Sequence, residues 1–149
     1  MQKCTLALGC FWKPEENFKN KSGILKTEVG YAGGARANVT YEEVCTGKTG
    51  HAEVVRLFFD GKTTSFKEIL NLFFKMHDPT QKDMQYPDIG TQYRSEIFYE
   101  NDTQKKDAEI VFNEVNKILH GKIQTSISKI SNYCKAEAYH QKYIEKNSQ

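Results

Sequence analysis

Four cysteines, Cys4, Cys10, Cys45 and Cys134, are the side chains of this sequence best suited to redox or nucleophilic chemistry. A buried thiol is a small apolar filler, whereas a thiolate is a nucleophile and a metal ligand. Cys10 stands apart because of its neighbours. It follows the apolar run Thr5-Leu-Ala-Leu-Gly9, which reads as a strand, and precedes Pro14-Glu-Glu, which suits a first helical turn with acidic residues at its positive end. A thiol there faces unpaired N–H groups, with Lys13 as a nearby cation, and is expected to have a lowered pKa. Phe11 and Trp12, the single Trp of the chain, follow directly and can wall a pocket for a group as small as a methyl. The competing reading is a structural cysteine ending a strand, with both aromatics in the core.

A nucleophile at such a position needs acids and hydrogen-bond donors opposite it. Glu53 stands where the loop Thr49-Gly-His-Ala enters an apolar strand. A carboxyl partly buried there has a raised pKa and can donate a proton near neutral pH, although an ordinary strand-edge carboxylate fits the same residues. Tyr41 and Tyr93 can present phenolic donors to a substrate oxygen, and Asp88 lies in a turn shaped by Pro87 and Gly90. Turn chemistry and packing account for each of these equally well when taken singly. His51 is either a base for Cys10 or a hydrogen-bonded loop histidine. No two Cys or His residues have C-x-x-C or H-x-x-x-H spacing, so no metal site is expected.

The elements that must position these groups are legible from periodicity. Thr5 to Gly9, Lys26 to Tyr31, Glu53 to Phe59, Ser95 to Tyr99 and Thr125 to Ser131 read as strands, the last as an edge strand. Ser65 followed by Glu68 is a capping box for a helix with Phe66, Ile69, Leu70, Phe73 and Met76 on one face. Asp107 to Leu119 is amphipathic and stops at Gly121; Ala136 to Glu145 reads as a short closing helix. A glycine-dense loop links the second and third strands, and a second loop runs from His77 to Gly90. The order predicts an α+β fold: one domain over residues 1–149, in two layers, with helices on a mixed sheet and a ferredoxin-like β-α-β-β-α-β core.

Composition narrows the function classes. The 149 residues are 38% hydrophobic and 27% charged, which excludes collagen-like, membrane-spanning and wholly disordered chains. Lys and Arg number 21 against 19 Asp and Glu, a net charge of +2 too small to suggest a nucleic-acid partner. No stretch approaches a membrane span, and Thr5 to Gly9 is too short for the core of a signal peptide. A cytoplasmic chain is expected, in which the cysteines are thiols. No feature marks an oligomer interface, so a monomer is the default.

Taken together, Gly9-Cys-Phe-Trp12, Gly30-Tyr-Ala-Gly-Gly34, Thr40-Tyr-Glu-Glu-Val-Cys-Thr-Gly47, Thr49-Gly-His-Ala-Glu-Val54, His77-Asp-Pro-Thr-Gln81, Asp88-Ile-Gly-Thr-Gln-Tyr-Arg-Ser95 and Ala136-Glu-Ala-Tyr-His-Gln141 closely resemble peptide-methionine sulfoxide reductase A over nearly the whole chain. The resemblance implies reduction of the S epimer of methionine sulfoxide, free or within peptides and oxidised proteins. It makes Cys10 the nucleophile and Phe11 and Trp12 the cage for the substrate methyl. Glu53 becomes the acid on the sulfoxide oxygen, Tyr41 and Tyr93 the phenols that bind that oxygen, and Asp88 a polar residue that orders the site. The product is a sulfenic acid on Cys10, which a second thiol must reduce. No tightly bound cofactor is implied; the reductant would be thioredoxin, glutaredoxin or glutathione.

The sequence departs from the family in places. The Gly-rich tail that carries resolving cysteines in many relatives is not found before Gln149, whereas Cys134 stands where relatives often lack a thiol. Cys134 is therefore the expected resolving cysteine, with Cys4 and Cys45 as bystanders. If no cysteine resolves, glutaredoxin or glutathione is favoured over thioredoxin. Lys13, Val39 and Tyr86 also depart from the usual pattern, and Lys13 and Tyr86 would border the pocket. A thiol peroxidase or a Cys10–His51 hydrolase explains the thiol without the Glu53, Tyr41 and Tyr93 set, and a non-catalytic binding module leaves every filled position unexplained.

Overall fold

The computed structural model describes residues 1–147. Its strands are Gln2–Leu8 (β1), Ile24–Ala32 (β2), Ala52–Phe59 (β3), Met84–Gln85 (β4), Asp88–Ile89 (β5), Ser95–Tyr99 (β6), Ser126–Lys129 (β7) and Cys134–Lys135 (β8). Its helices are Trp12–Phe18 (α1), Tyr41–Cys45 (α2), Phe66–Met76 (α3), Asp102–Ile118 (α4) and Tyr143–Asn147 (α5), with 3-10 turns at Thr91–Tyr93 and Ala138–His140.

Six strands form one mixed sheet in the order β7-β6-β1-β3-β2-β8, and β4 pairs only with β5. The inner order β6-β1-β3-β2, antiparallel throughout, is the expected ferredoxin-like core. β7 runs parallel to β6, a pairing that requires a crossover, and α4 supplies it. Side chains alternate across the sheet. Cys4, Leu6, Leu8, Val29, Tyr31, Val55, Leu57, Phe59 and Ile97 join the large core with Phe18 of α1, Val44 of α2, the apolar face of α3, and Ala108 and Val111 of α4. Ala7, Ala32, Ala52, Val54 and Phe98 form a smaller cluster with Ile130 and Tyr133. There Arg56 stacks 3.6 Å over the Tyr133 ring, covering the sheet with a cation held by aromatic contact.

Several elements differ from the sequence expectation, each for a local reason. The first loop contains α2, closed by a full capping box: Thr40 Oγ1 accepts the Glu43 N–H at 3.2 Å, and the Thr40 N–H donates to Glu43 Oε1 at 3.0 Å. At α3 only half of the expected box exists. Ser65 Oγ accepts the Glu68 N–H, but the Glu68 carboxylate takes its hydrogen bond from Thr64 Oγ1. α4 begins at Asp102 rather than Asp107, because Asn101 caps it and the buried Gln104 spans Glu100 N–H and the Lys3 carbonyl.

The closing helix expected over 136–145 is instead β8, a 3-10 turn and α5. Lys142 adopts φ 54°, a left-handed conformation that breaks any continuous helix. The buried carboxylate of Glu15 holds it there: Glu15 accepts the Lys142 N–H at 2.7 Å, the Lys142 ammonium at 3.1 Å and Thr27 Oγ1 at 2.8 Å. A buried charge left unpaired would be strongly destabilising, so this contact ties the chain's last described segment across α1 and β2.

Candidate active site

β1 is the central strand of the site, paired on both edges, and its last residue Leu8 sits opposite Ser95. The chain leaves the sheet through Gly9, at φ 94°, where a Cβ would lie 3.0 Å from the Gln85 side chain. Cys10 follows, half-buried in a cleft also lined by Lys13, Gln85, Tyr86, Pro87 and Asp88. Glu53, second residue of β3, is 1% exposed and reaches under this turn, where its Oε1 accepts the Phe11 N–H at 3.2 Å. A strand end, a helix start and a neighbouring strand thus bring a thiol and a carboxyl together.

Burial governs the electrostatics of this corner. The Glu53 carboxyl is pushed up to about 8 by desolvation and by the charge of Asp88, against the opposing Phe11 N–H. It therefore carries a proton through neutral pH, as its entry into an apolar strand predicts. Cys10 corrects the sequence expectation. Its thiol is not lowered but pushed up to about 12: desolvation dominates, Glu53 and Asp88 add to it, and the Trp12 N–H offsets only part. A helix of seven residues exerts too little field to compensate for burial among carboxyls.

The two tyrosines arrive from separate loops. Tyr93 ends the 3-10 turn after Gly90; burial and the proximity of Glu53, Cys45, Asp88 and Cys10 push its phenol up to about 12. Tyr41 opens α2, its phenol also raised by burial and by interaction with the Cys45 thiol one helical turn on. Asp88, half-buried in the β4–β5 hairpin, pairs across it with Gln85. Cys10, Glu53, Tyr93 and Asp88 thus share one electrostatic environment, and Tyr41 is within reach of Glu53 and Tyr93.

Phe11 is 1% exposed, with its ring 5.7 Å from Tyr31 and 5.2 Å from His140. Trp12 is half-buried and stacks at 3.8 Å and 10° on Tyr143. His51 lies against Gly34, where a Cβ would come within 2.0 Å of its Nδ1, and burial lowers its pKa. It packs the first loop, and the group joined to the Cys10 turn is Glu53. Among the described residues, no group of three or more His, Cys, Asp or Glu side chains is arranged to hold a metal ion.

Cys134 sits on β8 opposite Tyr31, its thiol directed to the carbonyls of Val39 and Lys135 at 3.7 and 3.6 Å. The thiol that adds to the field at Cys10 is Cys45. Sequence reasoning also passed over Glu137 and His140. Glu137 accepts the Tyr31 O–H at 2.7 Å and the Tyr41 N–H at 2.8 Å, while Trp12 Nε1–H donates to His140 Nδ1 at 3.0 Å. Their signal was the run Ala136-Glu-Ala-Tyr-His-Gln141, which carries part of the family resemblance but, read as the start of a closing helix, assigned neither side chain a role.

A family model for peptide methionine sulfoxide reductase matches residues 2–149. The chain belongs to this family. Peptide methionine sulfoxide reductase MsrA of Pelagibacter ubique is 56% identical over 146 residues, which cover 98% of this chain and 99% of that protein. The crystal structure of Mxr1 from Saccharomyces cerevisiae in reduced form is similar at a TM-score of 0.94 and 38% identity, covering 99% of this chain and 86% of that one. Mxr1 in complex with Trx2 matches at a TM-score of 0.68 and 28% identity, over 95% of this chain and 84% of that one. As a peptide methionine sulfoxide reductase, the chain is an oxidoreductase that reduces methionine sulfoxide, a peptide-methionine (S)-S-oxide reductase. Among its described residues, no helix is long and apolar enough to cross a membrane.

Proposed function

We propose that residues 1–149 act as one catalytic domain in which Cys10 reduces the S epimer of methionine sulfoxide, with Glu53 as the acid. The observation that carries this reading is Glu53: a buried carboxyl, raised to about 8, bonded through one oxygen to the Phe11 N–H beside the thiol. With Oε1 occupied by that N–H, the acid proton belongs on Oε2. The substrate methyl enters the Phe11–Trp12 cage, and the sulfoxide oxygen faces Glu53, Tyr41 and Tyr93.

A sulfoxide oxygen leaves only once its growing negative charge is met by a proton and by donors. Glu53 gives that proton as the Cys10 sulfur attacks the sulfoxide sulfur. The thiol proton stays in the site, which returns Glu53 to its acid form. Methionine is released and Cys10 becomes a sulfenic acid, so the substrate gains the two electrons that the thiol sulfur loses. The high resting pKa of Cys10 fits this order, because the thiol stays protonated until substrate brings an acceptor to Glu53.

The sulfenic acid then condenses with a resolving thiol, releasing water and forming a disulfide that an external dithiol reduces. Cys134 is that thiol; Cys45 is a second candidate because it contributes to the field at Cys10. The Mxr1 complex with Trx2 supports a thioredoxin-type reductant. Glutaredoxin or glutathione would serve if neither cysteine resolves, and a reducing cytoplasm suits all of these routes. The test is reduction of the separate S and R epimers of a methionine sulfoxide peptide with dithiothreitol. S-specific turnover abolished by Cys10→Ser is expected; peroxide consumption without sulfoxide turnover overturns the reading.

A further inference from the structure

Resting on that function, we propose that His140 is a positioning residue for sulfoxide binding, its Nδ1 receiving the Trp12 indole N–H and so anchoring the edge of the ring that contacts the substrate methyl. An indole N–H can only donate, so Nδ1 is unprotonated and the imidazole carries its proton on Nε2. That Nε2 is sealed from solvent with no hydrogen-bond partner among the described residues, in a side chain 2% exposed. A buried orphan donor is a standing penalty that an apolar side chain of similar volume would not incur.

The surroundings show what the arrangement is for. The His140 ring lies 5.2 Å from Phe11, 5.7 Å from Trp12, 4.5 Å from Tyr41 and 4.2 Å from Tyr139. It thus touches both members of the methyl cage and one phenol of the oxygen side. Stacking on Tyr143 holds the face of the indole but does not engage its N–H edge. The bond from Nε1 to His140 anchors that edge. His140 does not reach the reacting sulfur, and it acts through Trp12.

Trp12 is the only tryptophan, so indole fluorescence excited at the red edge of the absorption, beyond the eight tyrosines, reports this contact. In a Cys10→Ser parent, which binds without turnover, N-acetyl-methionine (S)-sulfoxide amide is titrated against Trp12 emission. His140→Phe keeps the ring volume and removes the acceptor, whereas His140→Asn keeps an acceptor near the position of Nδ1. His140→Phe is expected to shift ligand-free emission and weaken binding roughly tenfold, with His140→Asn staying within about threefold of the parent. In enzymes retaining Cys10, the loss falls on KM with kcat within about twofold.

In a Trp12→Phe background, where binding is read by calorimetric titration because no tryptophan remains, adding His140→Phe should weaken binding no further. Parental emission and affinity in His140→Phe, equal impairment in His140→Asn, or additive losses in the double variant would each overturn the proposal. The ligand-free emission is read without sulfoxide. An enzyme that binds sulfoxide but does not reduce it therefore sinks the proposed function alone, while a parent that binds none overturns both.

Discussion

Glu53 and Cys10 share one buried corner, and desolvation raises both pKa values with different consequences for the reaction. In the proposed reaction, this stores a proton on Glu53 for use as the acid and withholds the Cys10 thiolate until substrate arrives. Glu53→Gln keeps an oxygen for the Phe11 N–H but cannot donate an acid proton. Turnover should fall by roughly 10²-fold or more, and the decline of activity as pH rises through about 8 should vanish. A parental rate at every pH would reassign the acid.

Stability should move the other way. A carboxyl whose folded pKa is raised favours the fold while protonated and loses that contribution as pH climbs from its unfolded value to about 8. Gln escapes this loss, so thermal or denaturant unfolding at about pH 9 should show Glu53→Gln more stable by about 2–4 kcal/mol, with little difference at about pH 4. The direction for Glu53 was one of two readings open in the sequence, because a carboxyl entering an apolar strand is desolvated when that end of the strand is covered and solvated when it lies at an edge. The direction for Cys10 was not, because neighbouring residues show a helix start but not how much water the rest of the fold removes.

At the scale of elements, the site depends on two loops that periodicity alone cannot describe. The segment from Gly33 to His51 delivers Tyr41 on α2 and leads directly into Glu53. Its shape is set by the Thr40–Glu43 box and by Gly34, where a Cβ would lie 2.0 Å from His51 Nδ1 and 2.4 Å from the Thr49 carbonyl oxygen. Gly34→Ala is therefore expected to destabilise the protein by about 2–3 kcal/mol, lowering Tm by roughly 5–10 °C in a thermal melt. It should also reduce kcat/KM by displacing Tyr41. An unchanged Tm would show that the loop accommodates a methyl there. The five main strands and α3 follow their sequence patterns because one periodicity decides each of them. α2 escaped notice among glycines although Thr40-Tyr-Glu-Glu43 spells a capping box, and the closing segment misled because its shape answers to Glu15, over a hundred residues away.

At the scale of the whole molecule, the sulfenic acid proposed on Cys10 needs a thiol brought from elsewhere in the chain. Cys134 lies on a two-residue strand at the edge of the sheet, and Cys45 is exposed on α2. Mass spectrometry after one turnover without reductant should find Cys10 joined to Cys134, and Cys134→Ser should abolish that bond. A disulfide to Cys45 that persists in Cys134→Ser would transfer the role. The sequence by itself determined the α+β class and the family, and it singled out Cys10 and Glu53 as the proposed nucleophile and acid, because these rest on residue types and on spacing within a strand or a turn. Only the tertiary structure decided the protonation of Cys10, the pairing of Glu15 with Lys142, the place of Cys45 beside the site, and the use of His140 to hold Trp12. Each of these depends on groups far apart in the chain meeting where water is excluded, and desolvation has no counterpart in a linear string of residues.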